Sequence, residues 1–132
     1  MINMETKKDI LNRLFVENNL TDEDVFKHKF YNIITRSGID KIMAANNIKI
    51  SYNLEYNSID CKCIIIKAKA TMGDKSIETY GEASPSNNQN SYPVAMAEKR
   101  AMSRACLKLA GFYEHQVFGE DEAEAFKRSN NQ

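Results

Sequence analysis

Residues 48–83, IKISYNLEYNSIDCKCIIIKAKATMGDKSIETYGEA, alternate apolar and polar side chains in three runs, interrupted at NSID and at MGDK. Alternation with period two is the signature of a strand with one buried face. In the first run Ile48, Ile50, Tyr52, Leu54 and Tyr56 share a face opposite Lys49, Ser51, Asn53 and Glu55. In the second, Ile64, Ile66, Ala68 and Ala70 oppose Cys63, Ile65, Lys67, Lys69 and Thr71. The third, SIETYGEA, ends in small residues. Turn residues this close together leave room only for hairpins, so the stretch predicts a three-stranded antiparallel meander.

Outside the meander the period changes to that of helices. Ile10, Leu11, Leu14 and Phe15 recur at helical spacing before Asn18 and Asn19, which predicts a helix over 6–18. LTDEDVFKHKF opens on Thr21 followed by acids, a helix-start pattern, and predicts a second helix. Residues 37–46 supply a third, with Ile39, Ile42 and Met43 on one face. The polar, proline-punctuated SPSNNQNS predicts a mobile loop. A long helix then runs from Pro93, tolerated in a first turn, to the stop signal Gly111. The expected fold class is α+β: N-terminal helices, the meander, and a long C-terminal helix packed on the sheet (α-β-β-β-α). Residues 1–113 would form one α+β domain and 114–132 an acidic tail.

At 132 residues and 42% hydrophobic, the chain can bury a core without metals or disulfides. Its longest apolar stretch, 63–66, is too short to span a bilayer, and its N-terminus lacks the apolar core of a secretion signal, which implies a soluble cytoplasmic protein with no membrane partner. Cys61 and Cys63 form a C-x-C pair on an expected strand, with Cys106 further on; too few ligands accompany them for a zinc site, so they read as reduced, buried thiols. No phosphate-cradling glycine loop, paired carboxylate motif or histidine beside a nucleophile is present, so neither enzymatic activity nor a cofactor is expected.

The net charge of zero conceals an uneven distribution. Residues 31–113 carry eleven bases against seven acids, whereas 114–132 carry five acids against Lys127 and Arg128. On the last helix Val94, Ala97, Ala101, Ala105, Leu109 and Phe112 gather on one side, and Met96, Leu107 and Ala110 lie nearly opposite. The helix is thus expected to be covered twice, by the sheet and by either the N-terminal helices or a second subunit. Arg100, Arg104 and Lys108 run along the seam between the two strips, where a basic row would line a groove. Lys67 and Lys69 on the sheet could extend that row, and Tyr80 and Tyr92 flank the polar loop as rings for stacking. A file of cations beside exposed rings suits single-stranded nucleic acid better than a duplex groove. A seam residue is not core, so replacing Arg100 or Arg104 should leave folding intact.

The stretch CIIIKAKATMGDKSIETYGEAS followed by PVAMAEKRAMSRACLKLAGF resembles the core of the single-strand annealing proteins, the recombination mediators of the eukaryotic Rad and phage Sak and Erf types. The likeness covers about residues 31–113 and rests chiefly on AEKRAMSRA. It implies a DNA-binding role in phage or mobile-element recombination and replication. By that resemblance Lys99, Arg100, Arg104 and Lys108, with Lys67 and Lys69, would contact the DNA backbone, and copies would assemble into a ring or filament. The tail EHQVFGEDEAEAF resembles an acidic-hydrophobic docking segment for another replication or recombination protein, and folding back onto the basic groove is its other reading. Two further readings of the whole chain stand beside this one: a double-stranded RNA-binding module, which shares the order helix, three strands, helix, and a protein-interaction adaptor that uses the tail and the second apolar strip.

Overall fold

A computed structural model of the chain describes residues 6–88 and 91–122. Helix α1 (Lys7–Glu17) is followed by the short strands β1 (Val25–Lys27) and β2 (Asn32–Ile34) and by helix α2 (Arg36–Asn46). Strands β3 (Lys49–Asn57), β4 (Ile64–Met72) and β5 (Lys75–Ala83) lead to helix α3 (Pro93–Leu109), a 3-10 turn at Tyr113–His115 and strand β6 (Val117–Gly119). The meander is present with order β3-β4-β5, both pairs antiparallel. A second sheet, β1-β2-β6, joins two strands before α2 to one after α3, so the chain is mixed α+β but departs from a simple α-β-β-β-α order.

Local chemistry accounts for the helix boundaries. Thr6 caps α1 in a capping box with Asp9, and Thr35 caps α2 by accepting from the Gly38 N–H at 3.1 Å. Asn47 ends α2 in the left-handed conformation at φ 51°, one of the few side chains that tolerate it. Pro93 opens α3, and Gly111 at φ 86° lets the chain turn away after it.

The helix expected from Thr21 does not form. Asp24 Oδ2 accepts from the Thr21 N–H at 2.9 Å and the Thr21 hydroxyl at 3.1 Å, folding 21–24 into a turn. The β-branched and aromatic residues that follow enter an antiparallel hairpin, with Val25 opposite Ile34 and Phe26 opposite Ile33. The acids that imitate a helix start therefore serve a turn. Asp24 is buried, and Lys41 of α2 donates to its Oδ2 at 2.6 Å, which ties the turn to the helix behind it.

Helix α3 lies between the two sheets. On the meander side Ala97, Ala101 and Ala105 are fully buried, and Ala97 packs with Ile64, Ile66 and Ala83. A Cβ added at Gly81 would sit 1.9 Å from the Ala97 carbonyl oxygen and 2.5 Å from the Ala101 nitrogen, so only glycine admits the helix backbone this close. The Thr79 hydroxyl donates to the Ala101 carbonyl at 2.7 Å across the same contact. On the other side a Cβ at Gly119 would meet the Ser103 side chain at 2.8 Å, so β6 rests directly on α3. The second apolar strip is covered within the chain itself: Leu107 joins Ile34, Ile39, Ile42, Phe112 and Val117 in the main core.

Four further expectations change. The boundary at 113 cuts through the fold, because Val117 is fully buried in the core and β6 pairs in parallel with β2, Asn32 opposite Val117. Glu124 and Phe126 of the expected tail lie outside the described residues. A bulge at Glu55 breaks the apolar face of β3, so that Leu54 stays opposite Ile66 while Tyr56 shifts opposite Ile65 on the other face. Tyr52, Leu54 and Tyr56 are 37%, 59% and 52% exposed, and β3 is not the half-buried strand its alternation suggests. The C-x-C pair precedes β4 in a loop, with Cys61 exposed and Cys63 half-buried; Cys106 alone is buried, and burial pushes its thiol up to about 12. Residues 84–87 of the expected mobile loop form a turn closed by Asn87.

Two outcomes test this packing. Gly81→Ala should cost about 3 kcal/mol or more, because backbone rather than a flexible side chain blocks the new methyl; urea unfolding measures it, and a change below about 1 kcal/mol would contradict the close approach. The carboxyl of Asp24 is held below its ordinary value by the Lys41 hydrogen bond and then by the Thr21 N–H. Its contribution is complete above the unfolded carboxyl's pKa, about 3.9, and is lost as pH falls through the lower folded value. Asp24→Asn should lower stability at pH 7 by about 1–2 kcal/mol and by less at pH 3.

Candidate nucleic-acid interface

The basic row on α3 does not line an open groove. Arg100 is 2% exposed, and its guanidinium donates to backbone and amide acceptors. Nη1 donates to the Glu82 carbonyl at 2.8 Å and to Asn87 Oδ1 at 3.0 Å, Nη2 to the Asn87 carbonyl at 2.6 Å, and Nε to the Asp121 carbonyl at 3.3 Å. One helical turn later, Arg104 donates from Nη1 to the Tyr80 carbonyl at 2.6 Å. Its Nη2 pairs with Glu82 Oε1 at 3.0 Å and its Nε with Glu122 Oε1 at 2.6 Å. Burial disfavours the Arg104 charge, but the Glu82 hydrogen bonds and the Glu122 charge outweigh it and hold its pKa above the ordinary value.

The four-residue spacing has a structural explanation. Residues four apart on a helix rise about 6 Å, and alternate carbonyls on one edge of a strand are about 6.7 Å apart. Arg100 and Arg104 therefore reach Glu82 and Tyr80, successive carbonyls on the free edge of β5, and cap it. An edge strand left bare invites pairing with another chain, and these two side chains block that.

The remaining predicted residues are scattered. Lys99 is exposed near Asp121, whose carboxyl burial raises above its ordinary pKa. Lys108 places Nζ 5.0 Å from the Tyr113 ring centre, and Tyr92 is exposed ahead of α3. Lys67, Lys69 and Tyr80 lie on the outer face of the meander, opposite Asn53, Ser51 and Lys67 respectively in the strand register. This face is uncovered among the described residues, but its charges cancel locally: Lys67 is 3.6 Å from Glu55 and 3.8 Å from Glu78. The eight residues do not converge on one site.

A different surface does concentrate positive charge. Between α1 and the β1–β2 hairpin lies a cleft of about 500 Å³ lined by Lys7, Lys8, Lys27, His28 and Lys29, with Asn12, Asn32, Leu11 and Phe15, and with no carboxylate. Lys7 donates to Gln116 Oε1, while among the described residues no acid pairs with Lys8, Lys27 or Lys29. The hairpin carries rings beside these cations. His28 stacks on Tyr31 at 4.5 Å with the rings 4° from parallel, Lys29 Nζ lies 5.3 Å from the Phe30 centre, and Phe26 and Phe30 are 61% and 74% exposed. The run FKHKFY at 26–31, bases interleaved with aromatics, was the available signal, masked by the helix-start pattern at Thr21 ahead of it.

Among the described residues no cluster of His, Cys, Asp or Glu is arranged to hold a metal ion, and no helix is long and apolar enough to cross a membrane. No family model matches the chain, and neither a curated protein nor a solved structure matches it.

The capped edge makes a sharp expectation against a surface role for the arginines. Arg100→Ala should cost about 3 kcal/mol by leaving several partly buried acceptors unpaired and a cavity where the buried side chain lay. Arg100→Lys should recover little of this, because one ammonium cannot span the Glu82 and Asn87 carbonyls as a guanidinium fork does. Denaturant unfolding measures both; a fully stable Arg100→Ala protein would return the arginine to the surface.

Proposed function

We propose that the chain is a single-stranded DNA-binding protein of the annealing type, acting in phage or mobile-element recombination and replication, and that it grips the strand at the α1–hairpin cleft. One observation carries the reading: Lys7, Lys8, Lys27 and Lys29 line a single cleft without a carboxylate among its lining residues, beside the exposed Phe30 ring. Phosphates along a flexible strand need cations in file, and unpaired bases need flat apolar surfaces. A duplex would offer the phosphates but would keep its bases stacked inside, leaving the Phe30 ring idle.

The mechanism is positional. The lysines hold the backbone by charge, the rings hold bases apart from one another, and base edges stay open for a complementary strand. It requires no cofactor. The resemblance of AEKRAMSRA and the meander to annealing proteins supports the functional class, although the cationic seam that the resemblance selects is occupied by Glu82, Glu122 and backbone carbonyls.

Four neutralised phosphates on a single strand give a log–log salt slope near −3. Fluorescence anisotropy of a labelled single-stranded oligonucleotide, titrated from about 50 to 200 mM salt, should show it. Lys27→Ala with Lys29→Ala should halve the slope and weaken binding at every sequence, and Phe30→Ala should weaken binding with little change in slope, by about 1–3 kcal/mol. Unchanged affinity in both variants would remove the cleft from the proposal. Preference for duplex RNA over single-stranded DNA would favour the double-stranded RNA-binding reading, and no binding to either at low salt would favour the adaptor.

A further inference from the structure

The two edges of the meander are treated differently. The β5 edge is closed by Arg100 and Arg104, whereas among the described residues nothing pairs with the outer edge of β3, nine residues from Lys49 to Asn57. Tyr52 and Leu54 stand exposed beside that edge on the face shared with Ile50. Strand edges of this length are ordinarily shortened, charged or covered. With β5 capped, a second copy cannot add its β5 to this β3, and head-to-tail growth of the sheet is blocked.

We infer that two copies of this chain join edge to edge through β3 in an antiparallel, two-fold arrangement that makes one six-stranded sheet. The sequence of β3 is self-complementary for this pairing. A two-fold axis normal to the sheet preserves its faces, so residues facing each other must be an even number apart or identical. Centring the axis on Tyr52 sets Tyr52 opposite Tyr52, Ile50 opposite Leu54, Ser51 opposite Asn53 and Lys49 opposite Glu55. The apolar side chains then lie together on the helix side. Lys49 shares its face with Thr71, and Glu55 reaches Lys67 at 3.6 Å on that same outer face, so the two opposite charges meet on one side of the sheet. Moving the axis to Ser51 or Asn53 loses both Lys49–Glu55 pairs. Because the contact is isologous and uses the meander's one uncapped edge among the described residues, assembly through that sheet closes at two copies and extends to neither ring nor filament.

The proposal is independent of any nucleic acid, and its test reads mass and covalent cross-linking. Sedimentation equilibrium of the full chain should show a reversible dimer. Each reversal acts twice across the axis, so Lys49→Glu or Glu55→Lys alone should weaken dimerisation about tenfold, and the double exchange should restore it. Tyr52→Cys, in a Cys61→Ser, Cys63→Ser background, places two thiols across the axis within disulfide reach and should oxidise to a covalent dimer. Ser76→Cys, on the outer face of β5, should not. A monomeric full chain overturns the proposal, whether the edge is bare or occupied by residues 123–132. Cross-linking through Asn53→Cys but not Tyr52→Cys, or failure of the double exchange to rescue, overturns the register and the pairing built on it.

Discussion

The backbone of α3 touches the backbone of β5, and most of the architecture follows from that closeness. Without a side chain at Gly81, the carbonyl of Ala97 and the amide of Ala101 come down onto the strand, which brings the helix low enough for Thr79 to reach it. The small residues Ala97, Ala101 and Ala105 follow from the same demand. At this height the side chains flanking the contact reach over the strand to its far edge. A larger residue at the crossing would raise the helix and leave the Arg100 and Arg104 guanidinium groups short of the Glu82 and Tyr80 carbonyls.

Positive charge on this protein thus divides by role. On α3 it is structural: the arginines bind carbonyls and carboxylates that would otherwise be buried or bare, with a fork geometry that lysine lacks. Near the N-terminus it is lysine on exposed backbone, strongly hydrated and facing a cleft. A zero net charge is compatible with both, since Glu82 and Glu122 are consumed by Arg104 while the cleft lysines have no acid among their lining neighbours.

Much of the fold was legible because its signals are local. The alternation of β4, the glycine-marked turn before β5, the threonine cap of α2 and the proline start of α3 can each be read within a dozen residues. The misread elements depend on distant partners. Val25–Lys27 is a strand because Asn32–Ile34 and then Val117–Gly119 complete a sheet around it, and Asp24 serves a turn because Lys41 holds it. The arginine spacing was visible, but half of its acceptors are main-chain carbonyls, which every residue carries and no sequence pattern marks. The lysine cleft was missed because Lys7 and Lys8 stand twenty residues from Lys27 and Lys29, and only the hairpin brings them together.

The parallel pairing of β2 with β6 bears on how the molecule is made. Asn32 waits for Val117, 85 positions later, so a growing chain emerging from a ribosome cannot complete the small sheet until long after the hairpin has been made. Until then the hairpin is a two-stranded ribbon, marginal by itself in water, and its rings and lysines lack a fixed floor. Residues through Gly119 must be in place before the cleft takes shape, and a chain stopped ahead of them would carry the meander without the lysine-lined surface.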